Sequence, residues 1–273
     1  MGELDLDALS SALEDDADET LALIVEMARA TDEGLRAAVR KLAPQLILDQ
    51  TRRGTPHRRG VARPRPVPAR QGGEIDLDRS MDAIVDARSQ GRMPSLDDLT
   101  ATDWARPDLA LCLVIDRSGS MNGHRLTTAA VTGAACLSRA PAEHAVVAFA
   151  ARVSVLKPLA RAAQARQTVE DILNLRGHGT TALADALQEA AVQLRGARAR
   201  RRVVVLLSDC RATDDVSAVP AARGLDELII LAPAGDDDEA RHLSREAGAK
   251  LGVVESVLDV PGVLGTLLAD DRG

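Results

Sequence analysis

Apolar positions follow two rhythms along this chain. From residue 109 onward, short apolar runs at 109–115, 145–150, 152–156, 203–207, 227–231 and 250–254 alternate with stretches whose apolar residues recur every three to four positions. Runs of this length, closed by Gly, Pro or polar residues, predict buried strands. The intervening periodicity predicts helices at about 125–138, 162–173, 182–194, 237–247 and 260–268. Strands alternating with helices predict an α/β fold: a doubly wound, mostly parallel six-stranded sheet. The runs 145–150 and 152–156 follow each other so tightly that they must form an antiparallel hairpin.

The first hundred residues are patterned differently. Leu21, Ile24, Val25 and Ala28 share one helical face over 20–30. Thr31 can cap a second helix running through Leu35, Val39, Leu42 and Leu46, which Pro44 should kink or break near Lys41. The pair predicts a helical hairpin, or two helices that pack only on a partner. Residues 51–73 hold four prolines and four glycines among seven arginines, and read as an extended arm without packed structure, a tether in preference to a docking segment. Leu77, Met81, Ile84 and Val85 predict an amphipathic helix starting after Asp76 or Asp78, and Ser95 a capped turn holding Leu96 and Leu99. The expected division is an acidic helical extension over 1–50, an Arg/Pro-rich linker over 51–73, a helical connector over 74–107 and the α/β domain over 108–270.

Charge sharpens that division. Residues 1–50 carry twelve acids against four bases, whereas 51–70 carry seven arginines and no acid. Such asymmetry fits an interaction segment or a solvated, self-neutralising linker. Aromatic residues number two, Trp104 and Phe149, which argues against a reader that stacks nucleic-acid bases. Cys112, Cys136 and Cys210 are odd in number, far apart and without a CxxC, as expected of reduced cysteines in a cytoplasmic protein. No apolar run approaches ~20 residues and no signal peptide opens the chain, so neither membrane insertion nor export is expected.

The chemistry gathers at the end of the first strand. Asp108 to Ser120 reads DLALCLVIDRSGS, so Asp116, Ser118 and Ser120 follow at alternate positions past the carboxyl end of a central strand. Ligands of open α/β sheets bind at that edge. Gly119 permits a tight loop there. Carboxylate and hydroxyl oxygens without Cys or His suit Mg²⁺ or Mn²⁺.

Asp116-x-Ser118-x-Ser120 resembles the metal-ion-dependent adhesion site (MIDAS) of von Willebrand factor type A (VWA) domains. Two further pieces of that motif follow in order. They are Gly177-His178-Gly179-Thr180-Thr181-Ala182-Leu183 opening a helix, and Val203-Val204-Val205-Leu206-Leu207-Ser208-Asp209 ending a strand. The resemblance covers roughly 108–268. It implies a Rossmann-like sheet of strand order 3-2-1-4-5-6, which brings Asp116 and Asp209 to one crevice. It also implies that Ser118 and Ser120 bind the ion directly, that Asp116 and Asp209 act mainly through water, and that Thr181 enters or leaves the shell as the ligand binds. Thr180 competes for that last role. Thr181 is preferred because the family's threonine lies six residues before the apolar member of an Ala-Leu pair, here Ala186-Leu187.

The same resemblance implies a binding module whose partner places a Glu or Asp on the ion. Bacterial proteins of this type resemble the partners of MoxR-type AAA+ ATPases and the D subunit of magnesium and cobalt chelatases. Asp209-Cys210-Arg211-Ala212 is similar to the Asp-Gly-Arg-Ala of chelatase-type domains, with Cys210 replacing the Gly and Arg211 on the rim of the site. Enzyme motifs are missing. Ser118 stands where a phosphoryl-transferring hydrolase would want a second acid, and there is no Gly-x-Ser-x-Gly and no Gly-Lys dipeptide. His124, His144, His178 and His242 show no metal-ligand spacing.

Overall fold

The structure is a computed structural model that describes residues 11–13, 15–27, 42–49, 51, 64–69, 74–104, 109–117, 123–161, 164–177, 179–212 and 216–269. The chain forms two compact units, 57–108 and a larger one built from 1–56 together with 109–273.

At the N-terminus, α1 spans Ala17–Met27 and residues 42–49 form α2. Leu21, Val25 and Ile47 are buried in the core of the larger unit, where α1 lies against the helix that follows the first strand of its sheet. The described parts of the predicted hairpin are therefore not free. Leu21, Val25 and Ile47 find their cover in the same unit, which removes them from water. Thr31 and the expected break near Lys41 lie outside the described residues. Pro44 is buried within α2.

The smaller unit departs from expectation in two ways. Residues 64–68, read as part of an unfolded arm, form strand β1 (Pro64–Pro68) in a three-stranded antiparallel sheet with β2 (Glu74–Ile75) and β3 (Thr100–Trp104), in the order β1-β3-β2. Pro64, Pro66 and Pro68 occupy every second position of an edge strand, which leaves the N–H groups between them able to pair. Ala69, in phase with Arg65 and Val67, donates to Leu99 O at 3.0 Å. Helix α3 (Leu77–Ser89) starts as predicted, with Asp76 accepting from Arg79 N at 3.1 Å. Its buried positions, however, are Ser80 and Ala87, and Ser80 Oγ donates to Thr100 O at 3.0 Å. Leu77, Met81 and Val85 stay exposed at 63%, 50% and 59%. The turn at 95–98 is held by Asp98, which accepts from both the N–H and the hydroxyl of Ser95. Arg92 and these donors hold its carboxyl down at about 2.

The larger unit carries the sheet expected from the alternation. Its strands are β4 (Leu109–Asp116), β5 (His144–Phe149), β6 (Val153–Lys157), β7 (Arg201–Leu207), β8 (Leu228–Pro233) and β9 (Lys250–Val254), in the order β6-β5-β4-β7-β8-β9. Counted from β4 as the first strand of this sheet, that is 3-2-1-4-5-6. The three strands of the smaller unit shift the numbering along the whole chain. Every pairing is parallel except β5 with β6.

Two helical layers cover the sheet. Leu111, Leu113 and Ile115 face α4 (Gly123–Arg139), α5 (Ala165–Leu173), α9 (Val260–Ala269) and the N-terminal helices. Ala110, Cys112 and Val114 face α6 (Leu183–Arg195), the short α7 (Val219–Arg223) and α8 (Asp238–Ala247). Leu109–Ile115 is buried at every position because each face of β4 has its own cover. All three cysteines are free and buried.

Integration of α1 has a measurable consequence. Leu21 is 1% exposed. Leu21→Ala should destabilise the larger unit by about 2–5 kcal/mol. Urea unfolding should show one shifted transition for that unit, whereas a helix lying free of the core would leave the midpoint where it was.

Candidate functional site

Parallel pairing sets the site. Ile115 of β4 pairs with Leu207 of β7, so the next residues, Asp116 and Ser208, emerge side by side at the carboxyl edge. Ser208 Oγ donates to Asp116 Oδ2 at 2.6 Å and accepts from Cys210 N at 2.9 Å. The loop after β7 thus fixes the orientation of the β4 carboxylate. Asp209 accepts from Arg211 N at 3.0 Å through Oδ1, a local turn of its own backbone.

A second loop arrives from the other side of β4. Asp116 pairs with Phe149 at the end of β5, and Arg117 N donates to Phe149 O at 2.8 Å. The residue after Phe149 anchors the threonine loop, as Ala182 N donates to Ala150 O at 2.9 Å. Gly179 turns that loop with φ +92° and approaches Ala151. Within it Thr181 is buried at 2% exposure, whereas Thr180 is exposed.

The strand ends therefore bring Asp116 and Asp209 to one edge, with the Thr181 loop anchored beside them. Ser118, Ser120 and His178 lie outside the described residues. Among the described residues, no three His, Cys, Asp or Glu side chains are grouped to hold a metal ion. The expected ligand set contains only two carboxylates. Arg211 forms an ion pair with Asp236 and is largely exposed, which ties it to the loop after β8. Pattern reading missed Ser208, although it stands directly before Asp209. A serine there has no signature of its own until pairing places it against Asp116.

Cys210 is the one non-glycine residue with positive φ among those described, at +63°. That is a conformation glycine adopts without steric cost. Burial first, then the charges of Asp209 and Asp116, push its thiol up to about 12, with a hydrogen bond to Ser208 opposing them.

Beside these residues a cavity of about 310 Å³ opens on the α4 side of the sheet, lined by the ends of β4, β7, β8 and β9, by α4 and by Asp18 of α1.

A six-stranded sheet ordered this way, with Asp116 and Asp209 at its switch point, is the fold of a VWA domain. The family model described as "VWA domain containing CoxE-like protein" matches residues 38–235, and the chain belongs to that family. VWA domains are commonly metal-dependent modules of protein–protein interaction. Similar solved structures include a von Willebrand factor type A protein from Catenulispora acidiphila, 19% identical with a TM-score of 0.46 over 60% of this chain and 42% of that one. Another is an aerotolerance-related membrane protein from Bacteroides fragilis, 16% identical with a TM-score of 0.48 over 59% of this chain and 98% of that one. A third is the manganese-loaded TRAP protein of Plasmodium vivax, 18% identical with a TM-score of 0.48 over 59% and 73%. The chain thus spans about two fifths of the Catenulispora structure. No curated protein sequence matches the chain. Among the described residues, no helix is long and apolar enough to cross a membrane.

The thiol gives a test of this geometry. An ordinary thiol ionises near 9, so Cys210 held at about 12 keeps its proton in the folded chain while the unfolded chain loses it. Its contribution to stability is full below about 9 and falls as pH rises toward 12. Iodoacetamide at pH 8.5 should leave Cys210 unmodified in the folded protein and alkylate it after urea, read by mass spectrometry. Rapid alkylation of the folded chain would contradict the placement.

Proposed function

We propose that this protein is a metal-ion-dependent protein-interaction module that binds Mg²⁺ or Mn²⁺ through Asp116, Ser118, Ser120, Thr181 and Asp209. The observation that carries the reading is the 2.6 Å bond from Ser208 Oγ to Asp116 Oδ2. It holds one carboxylate of the motif in place at the edge where Asp209 and the Thr181 loop also arrive. Hard oxygens without thiolate or imidazole fit a hard divalent cation. Once bound, the ion supplies Lewis acidity at a position that a partner's Glu or Asp can fill through a charge-assisted contact. The chain's own groups would orient that ion, and the role proposed is binding without catalysis.

The partner we infer is a separate AAA+ ATPase of MoxR or chelatase type. The left-handed Cys210 within Asp209-Cys210-Arg211-Ala212 supports the chelatase-related alternative, because that is the backbone the motif's Gly would adopt. Three free, buried cysteines fit the reducing cytoplasm we propose as its compartment.

Asp116→Ala should abolish calorimetric Mg²⁺ binding with circular dichroism unchanged. Ser208→Ala, which releases the Asp116 carboxylate and also the N–H of Cys210, should weaken it by about 10–100-fold. Proteins retained by the immobilised chain from its native extract should include an AAA+ ATPase, should be lost with chelator, and should return with Mg²⁺. Retention of the same proteins with and without chelator would refute the metal-dependent reading.

A further inference from the structure

The smaller unit keeps large apolar side chains on its outside. Among its described side chains, the buried ones are Ser80, Ala87 and Ala101, all small. Ser80 and Ala87 let α3 approach β3, where the Ser80 hydroxyl also accepts from Thr100 N at 3.0 Å. Leu77, Met81 and Val85, four residues apart, then stand in one row on the exposed side of the same helix, with half-buried Ile84 beside them. The row runs about 12 Å at ~1.5 Å per residue. Ile75, Met93 and Leu96, before and after the helix, are exposed as well. A single exposed apolar residue is ordinary, whereas a contiguous row marks an interaction surface. A unit this small, with three small buried side chains, gains little from its own core, so cover for the row comes from outside the unit.

Charge says what fits the row. Asp78, Asp82 and Asp86 each follow one residue after Leu77, Met81 and Val85, so they form an acidic border along it, and all three are exposed. Nearby cations are committed elsewhere: Arg79 pairs with Asp76 at 3.4 Å and Arg92 with Asp98 at 2.7 Å. Arg88 is exposed at the C-terminal end of the row. Asp86 accepts from Gln90 Nε2 at 3.0 Å, and among the described residues no cation pairs with Asp78 or Asp82. A second copy laid antiparallel would set the two acidic borders against each other, and like charges so placed repel. An anionic lipid surface is repelled in the same way. A partner that is apolar on one side and cationic beside it satisfies both the row and its border.

We propose that α3 is a docking face for an amphipathic helix of a second protein, apolar along one side and carrying Lys or Arg along the adjoining border. The partner's apolar side chains seat between Leu77, Met81 and Val85, as the ridges of one helix fill the grooves of another. Its cations face Asp78, Asp82 and Asp86. Apolar burial supplies most of the affinity, since exposed ion pairs contribute little each, while the charge pattern sets orientation and partner choice. The face belongs to a different unit from the metal site and needs no ion. The smaller unit thus gives the protein a second, metal-independent contact.

The test uses the full chain and a fluorescein-labelled synthetic peptide of about 18 residues, long enough to hold a helix when docked. Leu recurs in it every three to four positions, with Lys along one border. Fluorescence anisotropy should show saturable binding that chelator leaves unchanged. Leu77→Gln with Met81→Gln should weaken binding by about tenfold or more. Asp78→Asn with Asp82→Asn should weaken it by about fivefold and make it less sensitive to salt. A peptide of the same composition in scrambled order should bind about tenfold more weakly, and so should one with Glu in place of Lys. Because Leu77 and Met81 are exposed, their double variant should unfold in urea at the parent's midpoint. Absence of saturation, equal binding by the scrambled or the Glu peptide, or parent-like affinity in the Leu77→Gln, Met81→Gln variant would overturn the proposal. So would a lowered urea midpoint in that variant, which would mean that the row is covered within this chain. Parent dimers that the variant dissolves, or binding of the parent to phosphatidylserine vesicles that the variant loses, would overturn it in favour of a second copy or a membrane.

Discussion

Everything in the larger unit follows from the need to cover β4 on both faces. Seven consecutive buried residues, Leu109–Ile115, cannot be satisfied by a sheet that leaves one face to water. The chain meets that need with a helical layer on each side, and right-handed crossovers then place the strand ends at one edge. Asp116 is the first position of that strand that is not fully buried, so the apolar requirement ends where the polar chemistry begins. The neighbouring strands bring in their own polar termini, and the site is the sum of those endings.

The candidate site was legible to the extent that its parts are local in sequence. Asp116, Asp209 and the Gly179–Thr181 turn each mark the end of a recognisable element. Their meeting required only the strand order, which the structure bears out. Ser208 was illegible because its role exists only through parallel register with β4. Asp18 is more remote still: an acidic residue in a weakly patterned stretch gives no hint that its carboxylate will cap Val257, 239 positions away.

The fold shows the same limit. Periodicity located the helices of the α/β domain to within a few residues, but it could not say what would cover each apolar face. Leu21 and Val25 look like the face of a small helical hairpin or of a helix that packs only on a partner, and turn out to be core. Leu77, Met81 and Val85 look like a buried stripe and remain exposed, because Ser80 and Ala87 are small enough to let α3 approach its strand closely. Proline density misled for a related reason. Composition counts prolines, whereas pairing depends on their phase, and Pro64, Pro66 and Pro68 are in phase.

The larger unit is discontinuous in sequence, with 57–108 interposed between its two parts. During synthesis α1 therefore emerges long before the sheet and the helices on which it docks. The partner of its Asp18, Val257, is made 239 residues later. At ~5–20 residues per second that interval lasts about 10–50 s. Leu21 and Val25 can find α4 once Gly123–Arg139 has been made, but the last contact of α1 waits for Val257. The order of synthesis therefore differs from the order of packing: the first helix made is among the last elements to be fully seated.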